Sequence, residues 1–183
     1  MIFDSVQLRQ LPEDSILKRY GNGDSRELDN CYTDCFTLTL SHAVTFDDYV
    51  RAFYTTPIFK LERVLLKIFA GYSSTDNDAA QLAAGKTDVF SAWTVEERTS
   101  NQILMSDASG RTRSWLMIRY NDDESEKGVC LLFGSAVLPI VNRTNGERKL
   151  GVFLLILLKF HKIYSKILIS SARRKLKNAY GNN

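Results

Sequence analysis

The chain has 183 residues, 44% of them hydrophobic and 25% charged, with only 3 prolines. That composition excludes a disordered or low-complexity chain and suits one globular domain over 1–183 with a real core. The formal net charge of +3 hides an asymmetry: nine cations and no acid follow from Arg148 onward, so the residues before it carry 15 basic and 21 acidic side chains. An acidic body therefore carries a basic C-terminal stretch.

Residues 1–30 are the least informative. Pro12-Glu13-Asp14 predicts a short helix that stops at Gly21, and Gly21-Asn22-Gly23-Asp24 predicts a turn. Phe36–Leu40 alternates strand formers and reads as a strand. Thr45 is placed to cap a helix running to about Tyr54, with Asp47 and Asp48 in its first turn where the helix dipole favours them. Thr56-Pro57 opens a second helix that ends at Gly71, with Ile58, Leu61, Leu65 and Ile68 or Phe69 as its expected buried stripe. Thr75–Asp78 opens a short third one, closed by Gly85.

From Val89 the character changes. Val89–Arg98, Ile103–Asp107, Thr112–Tyr120 and Val129–Leu138 read as consecutive strands. Their links are short: Thr99–Asn101, Asp107–Gly110 and an acidic tip over Asn121–Gly128. Links of that length make an antiparallel meander, because parallel strands need long crossovers. After a turn around Asn145-Gly146 comes the longest element, Gly151–Ala179. Its apolar positions Phe153, Ile156, Leu157, Phe160, Ile163, Tyr164, Ile167 and Leu168 fall on one arc. The cations Lys159, Lys162, Lys166, Arg173 and Lys177 fall opposite, which predicts a long amphipathic helix with one face in water. A sheet and a helix with one apolar face each bury those faces together. The expected fold is α+β, a curved antiparallel sheet wrapped around a long C-terminal helix.

The N-terminal residues carry acids and no apolar run of secretory length. The apolar run Val152–Leu158 stops at Lys159, short of the ~20 residues a transmembrane segment needs. A soluble, cytoplasmic chain is expected. Cys31, Cys35 and Cys130 are odd in number and read as reduced thiols; with His42 and His161 alone beside them, no metal site is expected. No phosphate-binding glycine loop, zinc helix or serine elbow occurs, so no cofactor is expected. Nucleic acid is not an expected partner, because the helix cations and aromatics lie on opposite arcs. Nothing in the sequence indicates an oligomeric state.

The segments Trp93-Thr94-Val95, Gly110–Leu116, Phe133–Pro139 and Phe160–Tyr164, in this order, resemble an uncharacterised family of the START-like (SRPBCC) helix-grip superfamily. That family often sits behind a short-chain dehydrogenase-like domain; no dinucleotide-binding glycine fingerprint is present here. The resemblance covers roughly residues 89–170. It implies an apolar cavity between sheet and C-terminal helix for a lipid or another hydrophobic small molecule, in a carrier or in an enzyme of cyclase or hydratase type.

Three sets of residues follow as candidates. His161, on the apolar side of the last helix, is placed to act as acid or base, against the plainer reading of a core histidine. Trp93, Arg113, Trp115, Phe133, Leu157, Phe160 and Tyr164 are the expected ligand wall. Within that wall Arg113 is the group that would meet an anion, against the plainer reading of a pair with Glu96 or Glu97. The stripe Lys159, Lys162, Lys166, Arg173 and Lys177 offers a weak anionic-membrane contact, against the plainer reading of a solvated face. His42 reads as a surface residue. Glu97 and Asp107 are a conceivable acid–base pair that spacing does not require. Glu62, in an apolar helix, reads as half of a surface pair or as a group at a cavity mouth.

Overall fold

The computed structural model describes residues 6–21, 31–120, 128–141, 148–149 and 152–180, with backbone alone for 140–141, 148–149 and 152–161. The chain order is β1 (Gln7–Leu8), a 3-10 turn (Ile16–Tyr20), β2 (Tyr32–Leu40), α1 (Phe46–Tyr54), α2 (Pro57–Ala70), α3 (Asp76–Ala83), β3 (Val89–Phe90), β4 (Trp93–Arg98), β5 (Gln102–Asp107), β6 (Thr112–Tyr120), β7 (Val129–Val137), β8 (Ile140–Val141), β9 (Arg148–Lys149) and α4 (Val152–Tyr180). Strands β1–β7 form one seven-stranded antiparallel sheet in the order β1-β2-β7-β6-β5-β4-β3, and β8 pairs with β9 alone. The fold is α+β, with four helices among the described residues.

Local chemistry sets the helix ends. The Thr45, Thr56 and Thr75 side chains each accept from a backbone N–H in the first turn, and Thr75 with Asp78 completes a reciprocal capping box. Gly71 closes α2 in the left-handed conformation at φ 74°. Residues 89–98, expected as one strand, are two. Ser91, at φ 54°, turns the chain between Phe90 and Trp93 and makes a tight hairpin. The helix expected after Pro12 is only a 3-10 turn, capped by Ser15. The expected turns at 22–24 and 145–146 and the acidic tip at 121–127 lie outside the described residues.

Both faces of the sheet are buried, by different means. On one face Phe36, Leu38, Ile103, Leu116, Ile118, Leu131 and Phe133 pack against helices. Tyr49, Phe53, Tyr54, Phe59 and Phe90 fill this core with edge-on and tilted ring contacts, Phe53 reaching Phe133 at 4.9 Å. On the other face Leu104, Trp115, Met117, Leu132 and Ala136 are covered by Leu11 and Leu17 of the N-terminal segment. Gln102 clips that segment down. Its Oε1 accepts from Ile16 N–H at 3.1 Å and from Trp115 Nε1–H at 2.9 Å, while its Nε2–H donates to the Asp14 carbonyl at 2.9 Å. Gly134 lets the layers close. A Cβ there would stand 2.6 Å from the Asp34 carbonyl oxygen and 2.9 Å from both Leu17 and Trp115.

Two helices are turned from their expected faces. In α2 the buried residues are Phe59 and Arg63, while Leu61, Val64, Leu65, Ile68 and Phe69 are exposed. Apolar residues surround most of this helix, so periodicity does not choose its face. The choice falls to Phe59, edge-on to Tyr54 and tilted against Phe90, and to Arg63, bonded to Asp76 at 2.8 Å and to the Ser74 carbonyl at 2.6 Å. In α4 the buried line is Ser165, Leu168, Ile169, Ala172 and Leu176. Ile163, expected inside, is 57% exposed, and Lys162, expected in water, holds its Nζ 5.8 Å from the Tyr32 ring centre. Small residues at 165 and 172 let the helix approach closely, which turns it away from the arc of largest side chains.

Replacing Gln102 by Leu removes three hydrogen bonds and leaves the Trp115 indole N–H and the Ile16 amide unpaired. A urea titration is expected to show a loss of about 3 kcal/mol. A loss below about 1 kcal/mol would mean that the segment is held by apolar contact alone.

Candidate functional site

Strand register draws rows across the helix-covered face. Leu38, Leu131 and Ile118 form one row, and Phe36, Phe133, Leu116 and Ile103 the next. The row after that changes character: Asp34 pairs with Ser135, Ser135 with Ser114, and Ser114 with Met105. Side-chain alternation puts these on the same face as Phe36, Phe133 and Leu116. Asp34 is 5% exposed and Ser135 2%. The Asp34 carboxylate accepts from Ser135 N–H at 3.0 Å, Ser135 Oγ–H at 2.5 Å and Tyr32 O–H at 3.0 Å. Tyr54, pushed up by burial, sends its hydroxyl to Met105 Sδ at 3.0 Å and also meets Ser114. From α4, fully buried Ser165 adds another hydroxyl to this side of the core.

Beyond that row the face ends in Tyr32 and Val137 on one side and Trp93 on the other. At Trp93 a second polar group gathers. Glu62 of α2 accepts from the Tyr164 hydroxyl of α4 and from the Trp93 side chain. Glu62 keeps a partial opening to solvent, yet burial raises its pKa more than the two donors lower it. Burial and the Glu62 charge together push Tyr164 well up. Tyr164 and Trp93, like Ile58 and Val95, are partly buried and pack against the aromatic core. From Asp34 to Trp93 the floor crosses four strand spacings, roughly 19 Å.

Of the expected ligand wall, the structure brings Trp93 and Tyr164 together at Glu62 and places Phe133 in the adjoining aromatic core. Trp115 and Arg113 belong to the other face. Trp115 is fully buried under Leu17, and Arg113 bonds Glu96 Oε2 at 2.5 Å and the Tyr20 hydroxyl at 3.1 Å. The side chains of Leu157, Phe160, Lys159 and His161 lie outside the described residues; His161 stands one turn before Ser165 in α4. Lys166 and Arg173 are half-buried, and Lys177 is exposed. Asp107 serves its own turn, accepting from Arg111 N–H and Thr112 N–H at 2.9 Å each, and Glu97 pairs with Arg19, so these two acids do not work together. His42 is half-buried.

Asp34 is the residue that sequence reasoning missed. Its signal is an acid in phase with Tyr32, Phe36, Leu38 and Leu40, visible only once the strand is extended back to Tyr32.

Among the described residues no three His, Cys, Asp or Glu side chains gather as a metal site. All three cysteines are free, and burial pushes the Cys35 thiol up to about 12. A cleft of about 450 Å³ opens elsewhere, between α1, the start of α3 and the last turns of α4. Its charges are met internally: Arg51 pairs with Asp48 at 3.1 Å, and Lys175 bonds the Thr55 carbonyl at 3.1 Å. No described helix is long and apolar enough to cross a membrane. No family model matches the chain, and comparison with curated proteins and with solved structures gives no significant match.

A carboxyl with a raised folded pKa binds its proton more tightly folded than unfolded. Glu62 therefore costs stability as pH rises from the ordinary 4.5 through its raised value, and the cost persists above it. Glu62→Gln is expected to raise the melting temperature at neutral pH, with the gain shrinking toward zero at and below pH 4.5. A pH-independent gain would mean that Glu62 does not titrate abnormally.

Proposed function

We propose that the chain is a helix-grip domain of START-like type that binds a hydrophobic small molecule or lipid between its sheet and α4. The ligand's polar group sits at the end marked by Glu62, Trp93 and Tyr164. One observation carries this reading: the helix-covered face is a wall of Phe, Leu and Ile at one end and a floor of Asp34, Ser114 and Ser135 at the other. A fold selected only for stability gains by placing apolar side chains there, since every buried polar group must first recover its hydration cost. An elongated ligand with an apolar body and a polar head gives that division a use.

The element order supports the same reading. Short antiparallel connections precede one long terminal helix, and that helix lies against β2, β7, α1 and α2. Glu62 and the Tyr164 hydroxyl beside it set an acceptor and a hydroxyl at that end, which suits a hydroxyl, carboxylic acid or amide headgroup.

The test is native mass spectrometry of the purified protein, followed by titration with a fluorescent fatty-acid analogue. A co-purifying hydrophobic molecule, or micromolar binding of the analogue, is expected. Tyr164→Phe, which keeps the ring and removes the hydroxyl, is expected to weaken that binding about tenfold. Absence of any bound molecule, with no binding across a panel of fatty acids, sterols and polyketides, sinks the reading.

A further inference from the structure

The face that α2 turns outward has no partner within the chain. Leu61 is 56% exposed, Val64 52%, Leu65 46%, Ile68 67% and Phe69 82%, and Tyr72 just past the helix continues the line. Single exposed apolar residues are ordinary; five on one helical face, over two turns, are a patch of the size that marks a contact surface. The helix is firmly seated by its other face, through Phe59, Arg63 and the Glu62–Tyr164 bond, so this exposure does not come from loose docking.

Charge chooses the occupant. The only acid in Pro57–Thr75 is Glu62, and it points inward to Tyr164. Lys60 and Lys67 stand on one flank of the apolar stripe, both exposed; Lys60 pairs with Asp76, and Lys67 is the cation left to an outside partner. The neighbouring α4 carries cations along its length and no acid. A second copy docked on the same face about a two-fold axis would set Lys67 against like charge, with Asp76 already engaged by Lys60 and Arg63. An anionic lipid surface accepts both components at once: the apolar side chains enter the acyl boundary while Lys67 reaches up to the headgroups.

We propose that α2 is an interfacial helix that lays its Leu61–Phe69 face on anionic bilayers. This stands apart from the ligand reading: the side chains of Ile68 and Phe69 are exposed, whereas Glu62 is turned to the Tyr164 hydroxyl.

The experiment is co-sedimentation of the full chain with vesicles of phosphatidylcholine alone and of equal parts phosphatidylcholine and phosphatidylserine. Binding to the anionic vesicles at low salt, falling as salt rises, is expected. The double substitution Ile68→Gln and Phe69→Gln leaves charge unchanged and alters only exposed positions. It is expected to weaken binding by about tenfold or more while the thermal melt stays put. Lys67→Gln is expected to weaken only the anionic-vesicle arm. Three results overturn the proposal: no sedimentation with anionic vesicles at low salt, sedimentation unchanged in the double variant, or a wild-type dimer that the double variant dissociates without any vesicle binding.

Discussion

One amide side chain closes the sheet's second face. A seven-stranded sheet whose central strands are apolar on both sides needs two covers, and the described helices supply only one. The other cover is a short N-terminal segment with one 3-10 turn. Gln102 ties it at two backbone points and ties the Trp115 indole at a third. That clip lets Trp115, Met117, Leu104 and Leu132 form a dry layer. Gly134 belongs to the same constraint, because any side chain there would wedge the segment away from the sheet. With the second face sealed, the helix-covered face is free to be uneven.

The unevenness follows strand register. Each step of two residues along β2 moves the same step along β7 and β6, so a polar residue at one position becomes a polar row when its neighbours agree. Asp34, Ser135 and Ser114 agree. The Asp34 carboxylate is satisfied within the sheet by three donors, which makes the row stable enough to persist without a ligand. The contrast with Glu62 is instructive. That carboxylate has two donors, keeps an opening to solvent and has a raised pKa. The first is held within the sheet; the second sits between α2, α4 and Trp93, beside solvent.

Much of the architecture was legible because it is written locally. Threonine caps at 45, 56 and 75, glycine stops at 71 and 85, and short polar links between alternating runs define elements whatever the tertiary context. Thr112–Tyr120 matches β6 end to end. What was not legible is which way apolar elements face. On β6 both sets of alternating residues include large apolar side chains, so Trp115 reads equally well as a cavity wall or as the floor of a second core. On α2 and α4 the apolar arc exceeds half the circumference, and the buried side is settled by Phe59, Arg63, Ser165 and Ala172, none of which dominates a periodicity. Asp34 stayed hidden for a related reason: the strand's first half, Tyr32–Cys35, lacks the aliphatic alternation that announces Phe36–Leu40.

The contact between α2 and α4 links these points. Glu62 and Tyr164 fix the rotation of both helices together, since turning either would break the bond and strand a carboxylate in an apolar crevice. With Tyr164 committed to Glu62, Ser165 and Leu168 are turned to the sheet and Ile163 outward. With Glu62, Phe59 and Arg63 turned inward, Leu61, Val64, Leu65, Ile68 and Phe69 are left exposed. The outward apolar stripe and the inward polar pair thus follow from one seating of α2, to which Phe59, Arg63 and the Glu62–Tyr164 bond all contribute. A chain that needed only a packed core would have little reason to anchor a helix by an acid and leave its aliphatic side in solvent. The anchor makes sense if both sides of α2 are working surfaces, one toward the interior of the fold and one toward whatever the molecule meets outside.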